Sequence, residues 1–416
     1  MRCSSVISVA VALSALGLAA CGNDIPTAPQ AGPALATTAT ALSFRQTSAG
    51  WDHTCGVTTG DRIYCWGENF EGQLGDGTTV NRLRPVQVTG GYQWREVTAG
   101  FQSTCGITLD GRAYCWGIGW LGDGSEFRTQ ITPVAVAGGL SFRHISNNPQ
   151  SDHTCGITTD DRAYCWGLNQ VGQLGTGTID PVASLSPVAV TGGRHFREVS
   201  VGPNHTCAVN PFGVIWCWGF NMNGELGDGT TTPSGCSVDA RDCVSPVPVR
   251  VHGNGLVFRQ VSAGGGTTGP TGNGGYTCGV TTDNRAYCWG FNKHGSLGDG
   301  SLTQRLTPAP VVGGHSFRHV EAGTIHTCGV TTDDRAFCWG PNYHQILGDG
   351  TTKFLRMRPT AVVGGLPFNR IDVGTSHTCA LRPSNRAYCW GGNAVGQLGD
   401  GSTTNRVKPT VVAGPM

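Results

Sequence analysis

The sequence predicts an all-β protein, a seven-bladed β-propeller with three to four antiparallel strands in each blade. The tripeptide Cys-Trp-Gly recurs seven times with a period of about 50 residues. Between the copies, short runs of β-branched and aromatic residues alternate with Gly, Asp and Pro turns, and helical periodicity is nearly absent. A repeat of this size cannot bury both faces alone, whereas a closed ring leaves no open ends. A β-helix is the alternative, but its coils are shorter and lack repeated hairpins.

Residues 1–41 are predicted to lie outside the propeller. Residues 1–20 carry an early arginine and then an apolar run too short to span a membrane, which is typical of a signal peptide. The sequence Leu18-Ala19-Ala20-Cys21 resembles a bacterial lipobox, so we expect Cys21 to be lipidated; ordinary cleavage beside an accidental cysteine is the alternative. Residues 21–41 are rich in Pro, Ala and Thr and should form a disordered tether. We therefore expect an exported protein, lipid-anchored in the bacterial envelope, with secretion as the alternative.

The propeller is predicted over residues 42–416, with one copy of the repeat in each blade. The hairpin at the centre of a blade is clearest at residues 158–164, where Asp residues suit a turn and the flanking Thr, Ala and Tyr suit strands. The second copy is shortened after Trp116, and an insertion is expected between repeats four and five, at about 232–275. The Cys-Trp-Gly motifs begin at Cys65, Cys115, Cys165, Cys217, Cys288, Cys338 and Cys389.

The order of motifs in each copy resembles the repeat of the regulator of chromosome condensation (RCC1) family. The order runs AGxxHT, a hairpin, YCWGxNxxGQLGDGT and PVxV, and it is seen around Trp66, Trp166 and Trp390. Members of this family form seven-bladed propellers, so the resemblance implies that fold over about 375 residues. Kelch propellers share the period and the paired glycines but not this order of motifs.

Cysteines occur in pairs ten residues apart, and each pair brackets a predicted hairpin. Their Cβ atoms should lie on facing strands within disulfide reach, and an exported chain meets an oxidising compartment. The spacing lacks the CxxC of redox sites and the ligand pattern of zinc sites. We predict structural disulfides, with free thiols packed in the core as the alternative. The pairs are Cys55 and Cys65, Cys105 and Cys115, Cys155 and Cys165, Cys207 and Cys217, Cys278 and Cys288, Cys328 and Cys338, Cys379 and Cys389, and, in the insertion, Cys236 and Cys243.

The other repeated side chains also favour structural roles. Histidines at one repeat position are expected to hydrogen-bond between blades, because a catalytic base needs a unique nucleophile beside it. The tryptophans of the Cys-Trp-Gly motifs should fill the space between sheets, and the Asp of LGDG should form a turn rather than a calcium site. We predict no metal, no cofactor and no enzymatic activity. The histidines are His53, His153, His205, His326 and His377.

The residues that do not repeat are the candidates for binding. Aromatic side chains in loops offer a large contact area at low entropic cost. Charged residues make up only 13% of the chain and the formal net charge is +1, which disfavours nucleic acid as a partner. We predict a non-catalytic, monomeric, extracytoplasmic interaction module that binds a protein or a surface glycan. Its predicted binding face comprises Trp51, Phe70, Phe101, Trp120, Phe220, Phe291 and Tyr343.

The family resemblance implies two alternative functions. One is a regulator similar to a guanine-nucleotide exchange factor for a small GTPase, which the expected export disfavours. The other is a secreted enzyme inhibitor, since a β-lactamase inhibitor shares this fold. Fold alone does not decide among these functions.

Overall fold

The computed structural model describes residues 41–231, 243–266 and 274–415, and these residues form seven four-stranded antiparallel sheets. The predicted all-β, seven-bladed propeller is confirmed, with four strands in every blade. The predicted signal peptide, Cys21, the tether up to residue 40 and Cys236 lie outside the described residues. Within the described residues, no helix has the length and apolar character needed to cross a membrane.

Each blade is a meander of four consecutive strands. Blades one and two contain β1 (Phe44–Ala49), β2 (His53–Thr58), β3 (Ile63–Gly67), β4 (Arg82–Gln87), β5 (Trp94–Ala99), β6 (Ser103–Thr108), β7 (Ala113–Gly119) and β8 (Arg128–Ala135). Blades three and four contain β9 (Phe142–Ser146), β10 (His153–Thr158), β11 (Ala163–Asn169), β12 (Asp180–Ala189), β13 (Glu198–Val201), β14 (His205–Val209), β15 (Ile215–Phe220) and β16 (Val244–Arg250). Blades five to seven contain β17 (Phe258–Gly265), β18 (Gly275–Thr281), β19 (Ala286–Gly290), β20 (Arg305–Pro310), β21 (Phe317–Ala322), β22 (Thr327–Thr331), β23 (Ala336–Pro341), β24 (Leu355–Ala361), β25 (Arg370–Val373), β26 (His377–Leu381), β27 (Ala387–Gly391) and β28 (Arg406–Val411).

The extra residues of blades four and five occupy two loops rather than one block. Strands β16 and β17 lie within the range 232–275 that was predicted as an insertion between repeats. The first loop joins β15 to β16, and the second joins β17 to β18. The first loop connects two strands of blade four, and the second connects two strands of blade five. Neither loop therefore lies in the connection between the two blades.

The first strand of each blade lies innermost and the fourth lies outermost. The first strands contact one another around the ring and line a central cavity of about 150 Å³. Every outermost strand contains at least one proline, which has no N–H group to offer a neighbouring chain, so the exposed sheet edges resist edge-to-edge pairing. These prolines are Pro85, Pro133, Pro181, Pro187, Pro246, Pro248, Pro308, Pro310, Pro359 and Pro409.

The hydrophobic core lies between adjacent blades. In one cluster, Val57 and Leu74 of the first blade pack against Trp94 and Trp116 of the second. The same arrangement repeats around the ring, and every tryptophan of a Cys-Trp-Gly motif is fully buried. The predicted wedging of tryptophan between sheets is therefore confirmed.

Seven of the predicted cysteine pairs are disulfide-bonded. The two members of a pair face each other directly on the second and third strands, as Cys55 and Cys65 do. The glycine two residues after the second cysteine has φ of +103° at Gly67, and a Cβ there would lie 2.5 Å from the Asp52 carbonyl oxygen. Glycine is therefore required at the bulge where the third strand meets the fourth.

One hydrogen-bond network joins neighbouring blades at six of the seven junctions. At the first junction, between blades one and two, the Thr104 hydroxyl and the Trp116 indole N–H both donate to the backbone carbonyl of Gln73, at 2.8 and 2.9 Å. His53 Nε2 lies 2.9 Å from Thr104 Oγ1. Since the single hydroxyl proton goes to the carbonyl, His53 must be the donor. The acceptor carbonyls of the six junctions belong to Gln73, Gln173, Glu225, Ser296, Ile346 and Gln397.

The repeated histidines bond across blades, as the sequence predicts. Each contacts the threonine of the next blade, and burial lowers the pKa of each imidazole to about 3. These rings are therefore neutral and serve as fixed donors. In the fifth blade Tyr276 takes the position, and its hydroxyl donates to the carbonyl of His326 at 2.8 Å.

The junction between blades two and three is the exception. Only three residues separate Gly117 from Leu121, whereas six separate Gly67 from Leu74. The Trp166 indole nitrogen is buried without a hydrogen-bond partner among the described residues. The shortened loop therefore removes the acceptor that the other six junctions share.

We expect Thr104→Val to lower the free energy of unfolding by about 1 to 3 kcal/mol, because it leaves the buried N–H of His53 without an acceptor. Thr154→Val is the matched control, since Thr154 lies at the exceptional junction and has neither bond. Urea denaturation followed by tryptophan fluorescence gives both values. Equal losses in the two variants would contradict the role assigned to the network.

Replacing Cys155 and Cys165 together with alanine should lower the free energy of unfolding by about 2 to 3 kcal/mol, since the bridge closes a short loop in the unfolded chain. Denaturant titration without reductant measures this loss. Alkylation of the unreduced, denatured wild-type protein provides the control, and labelling of these two cysteines would refute the pairing.

Candidate functional site

The two faces of the propeller differ in how far their loops depart from the repeat. We call one face of the propeller the upper face. It is formed by the loops between the first and second strands and between the third and fourth strands of each blade. The lower face holds the central hairpins and the connections between blades. The Asp-Gly turns lie on the upper face, where Asp76 bonds the backbone N–H of Thr78 and forms an ion pair with Arg82 at 2.7 Å. The LGDG motifs are thus turns, as predicted, and they lie within the loops between third and fourth strands.

The structure separates the seven aromatic residues of the predicted binding face into three groups. Phe70 and Tyr343 are exposed, at 64% and 48%. Trp51, Phe101 and Trp120 are half-buried. The remaining two, Phe220 and Phe291, were expected on the exposed face, and this expectation is wrong.

Phe220 and Phe291 occupy the same position in two copies of the repeat, and both are buried. Each directly follows a Cys-Trp-Gly motif, and its backbone N–H donates to the carbonyl of Asn204 or Gly275 respectively. The same backbone bond forms in other copies, from Glu68, Ile118 and Leu168. Only 3% of Phe220 and 8% of Phe291 remain exposed, whereas the residues at the same position in the first three copies are half-buried.

Four rings on blades one and two form a group that we call the aromatic cluster: Trp51, Phe101, Trp120 and Phe127. The Trp51 and Phe101 ring centroids lie 4.6 Å apart, and those of Trp120 and Phe127 lie 4.8 Å apart. Phe101, Trp120 and Phe127 also line one cavity, which connects the two pairs. Sequence reasoning missed Phe127, although it is an aromatic residue in an otherwise polar loop and is 51% exposed.

A second aromatic pair lies on blade six. The Tyr343 and Phe354 ring centroids are 4.8 Å apart, and both rings are exposed. Tyr343 begins a short 3-10 turn (Tyr343–Gln345) in the loop between β23 and β24. This pair lies on a different blade from the aromatic cluster. The aromatic cluster has four rings and is the larger of the two aromatic surfaces.

Carboxylates adjoin the aromatic cluster on blade one. Asp52 follows Trp51 in the chain and accepts hydrogen bonds from Ser376 at 2.8 Å and from the Gln397 side chain at 2.9 Å. Burial raises the pKa of Asp52 despite these bonds. Burial also raises the pKa of Glu68, and the nearby charges of Asp52 and Glu71 add to this effect. This side of the upper face is therefore electronegative.

A small cavity lies at the exceptional junction, and we call it the junction pocket. It has a volume of about 60 Å³ and opens beside the aromatic cluster. Burial raises the pKa of the Asp152 carboxyl in its wall. Its lining includes Phe101, Ser103, Trp120, Phe127, Asp152 and Thr154.

The central cavity holds a separate group of ionisable side chains. Glu96 and His144 form a 2.8 Å pair, and so do Glu321 and His319. Burial alone would lower the pKa of His144, but the charges of Glu96 and Glu198 and the hydrogen bonds to Glu96 and the Val199 carbonyl together raise it to about 9. Burial raises the pKa of Glu198 to about 7. Across the described residues, no group of three or more His, Cys, Asp or Glu is arranged to hold a metal ion.

Glu198→Gln should reduce the loss of stability between pH 5 and pH 8. A carboxyl whose folded pKa is raised stabilises the fold below its ordinary pKa, and this contribution disappears as the pH rises through about 7. Burial also raises the pKa values of Glu225 and Asp372 to about 7, and both groups remain in the two proteins, so the difference between the two slopes reports the loss of Glu198. Chemical denaturation across the pH range measures the slope, and an identical slope in both proteins would contradict the assignment.

Comparisons with known proteins agree with the architecture. The chain matches profiles of the regulator of chromosome condensation (RCC1) repeat at residues 44–73 and 368–397, and at residues 61–107, 160–209, 213–269, 283–330 and 384–416. The ultraviolet-B receptor UVR8 of Arabidopsis thaliana is 29% identical over 371 residues, covering 88% of this chain and 69% of the receptor. The probable E3 ubiquitin-protein ligase HERC4 of Homo sapiens is 28% identical over 237 residues, which is 56% of this chain but only 20% of HERC4.

Solved structures show the same fold at lower identity. Human WBSCR16 superimposes with a TM-score of 0.72 at 20% identity, covering 85% of this chain and 95% of that one. Prp20p of Saccharomyces cerevisiae superimposes with a TM-score of 0.67 at 20% identity, covering 79% and 80%. From the repeat matches and the seven four-stranded blades, we conclude that the chain belongs to the regulator of chromosome condensation (RCC1) repeat family.

Proposed function

We propose that this protein is a non-catalytic interaction module that binds a protein partner on the upper face, through the aromatic cluster. The observation that carries the proposal is the cluster itself: four rings from three loops of adjacent blades meet in one half-exposed surface. Such rings contribute a large contact area with few rotatable bonds, so little conformational entropy is lost on binding.

The surroundings of the cluster support a protein partner. Trp51 of the aromatic cluster hydrogen-bonds to Asp52, and the charges of Asp52 and Glu71 act on Glu68, so acidic groups lie on the blade-one side of the apolar cluster. An apolar centre beside charged groups is common in protein interfaces. Prp20p, which shares the fold, was characterised for its binding to Gsp1p and histones. That finding supports protein as the partner class and says nothing of which protein this chain binds.

We further propose that the protein acts outside the cytoplasm, held there by a lipid on Cys21. The disulfides support this location, because such bonds persist in oxidising compartments and are rare in the cytosol. The signal peptide and lipobox predicted from the sequence agree with it. The proposed partner is therefore another envelope or extracellular protein.

Changing Trp51, Phe101 and Trp120 together to alanine should reduce partner capture at least tenfold, because the variant loses the packed centre of the proposed interface. Phe212→Ala is the matched control, since Phe212 is 82% exposed in the hairpin between β14 and β15 on the lower face. Immobilised wild-type and variant proteins are exposed to a solubilised envelope fraction, and retained proteins are quantified by mass spectrometry.

Two results would contradict the proposal. A protein retained equally by wild type, the triple variant and Phe212→Ala does not use the aromatic cluster. Retention of glycan without any specific protein would assign the surface to carbohydrate instead. The melting temperature of the triple variant serves as the folding control, and it should stay close to that of the wild type because the three rings lie in loops.

A further inference from the structure

The chain enters the propeller on the lower face, beside the central hairpin of blade seven. The Phe44 N–H donates to the carbonyl of Asn385 at 2.8 Å, and Asn385 lies in the hairpin between β26 and β27. Residues 22–41 separate Cys21 from the start of the propeller, and they span at most about 70 Å when fully extended. A lipid on Cys21 would therefore keep the lower face within reach of the membrane.

The central hairpin of blade seven carries arginines without a carboxylate. In blade two, by comparison, the hairpin arginine Arg112 pairs with Asp110 at 3.4 Å. Ser384 takes the position of this aspartate in blade seven, where the hairpin holds Arg382 and Arg386. Within the part of the chain that the structure describes, neither arginine forms an ion pair, and the buried Arg382 Nε atom has no hydrogen-bond partner. Their charges are therefore available to an anionic ligand.

Blade seven as a whole has an excess of positive charge. Residues 368–416 hold five Lys and Arg side chains and two Asp, whereas residues 142–191 of blade three hold two and four. One of the two carboxylates, Asp400, forms an ion pair with Arg406 at 2.6 Å. The other, Asp372, lines the central cavity. The outer surface of this blade therefore complements an anionic surface.

An exposed apolar tip lies on the same face of the propeller. Phe212, in the hairpin between β14 and β15, is 82% exposed, more than any other large hydrophobic residue that the structure describes. Val257 in the connection to blade five is 46% exposed, and the two residues line one cavity of about 410 Å³. A large apolar side chain at a protruding tip is typical of a surface that contacts a partner or a membrane. The other six hairpins have small or acidic residues at the position of Phe212: Gly60, Asp110, Asp160, Asp283, Asp333 and Ser384.

We propose that the lower face lies on an anionic membrane surface, with Arg382 and Arg386 at the lipid phosphate groups and Phe212 in the interfacial layer. This inference rests on the proposed lipid anchor, because the anchored chain enters the propeller on this face. Basic and apolar contacts add to a lipid anchor, since each stabilises the bound state. The upper face then points away from the membrane, and the aromatic cluster stays accessible to its protein partner.

A membrane accounts for these features better than an acidic macromolecule does. A soluble polyanion would contact the arginines, but it offers no apolar region to Phe212 on a different blade. A bilayer is wide enough to contact blades four and seven together. Its interface also accepts aromatic side chains at the level of the headgroups.

Co-sedimentation with vesicles tests the proposal on the mature chain, residues 21–416 with Cys21→Ser, which carries neither a lipid nor the predicted signal peptide. All described strands lie within this chain. Its affinity for phosphatidylcholine vesicles with about 30% phosphatidylglycerol should exceed that for pure phosphatidylcholine vesicles at least tenfold. About 0.5 M NaCl should weaken the binding, because it screens the charges.

Arg382→Gln together with Arg386→Gln should lower the affinity for the anionic vesicles at least tenfold, because two phosphate contacts are lost. Phe212→Ala should lower it about threefold, since the apolar contact is lost. Arg84→Gln together with Arg358→Gln is the matched control. These exposed arginines lie in the outermost strands β4 and β24, and their loss changes the net charge equally. The control should retain at least half of the wild-type affinity.

Three results would overturn the proposal. Equal affinity for the two kinds of vesicle would show that lipid charge is not recognised. Equal losses in the two double variants would show that only the net charge matters. Binding to soluble dextran sulfate without binding to the anionic vesicles would assign the arginines to an acidic macromolecule instead. Melting temperatures close to that of the wild type verify that the variants are folded.

The vesicle assay also separates this inference from the proposed function. The triple alanine variant of the aromatic cluster should bind vesicles like the wild type, because its changes lie on the upper face. Capture that depends on the aromatic cluster, in a chain that no vesicle retains, would refute the membrane contact and leave the protein interface in place. Vesicle binding by a native chain without a lipid on Cys21 would support the membrane contact and refute the anchor.

Discussion

At six of its seven junctions the ring depends on one backbone carbonyl, which accepts hydrogen bonds from both a threonine hydroxyl and a tryptophan indole of the next blade. At the first junction this oxygen belongs to Gln73, and it fixes the position of Trp116 in the core between the sheets. Fully buried donors without acceptors cost free energy, so burial of the tryptophan and the presence of this oxygen are coupled. Packing and polar satisfaction therefore favour the same geometry at six junctions.

The closure of the ring shows why this repeated contact matters. All four strands of blade one and all four of blade seven come from consecutive sequence, so the two blades share no sheet. The seam is held by the same contacts as other junctions: Trp66 and Thr54 donate to Gln397, and Thr54 lies 2.7 Å from His377 Nε2. No strand from one end of the chain joins the sheet at the other end, and no covalent bond crosses the seam. The ring therefore stays closed only through the contacts between its blades.

Side chains that repeat could be assigned from sequence, because seven copies constrain one another. The pairing of Cys155 with Cys165 follows from spacing and hairpin geometry, and the role of His53 follows from its recurrence. Loop residues that do not recur in the other copies lacked this support. Phe220 and Phe291 are aromatic like Trp51, and their residue type alone does not show that they are buried whereas Trp51 is half-buried. The orphaned indole of Trp166 depends on where a shortened loop places its carbonyl, which sequence alone does not specify.

The departure from the repeat and the aromatic cluster occur at the same place in the ring. The shortened loop supplies Trp120, which replaces the glutamine and packs against Phe127 at the mouth of the pocket. A deletion that only shortened a loop would be expected to destabilise the junction, since it removes an acceptor from two donors. Here the shortened loop also leaves a small cavity with aromatic walls beside the aromatic cluster. The junction that loses this acceptor thus coincides in the ring with the aromatic surface that we propose as the binding site.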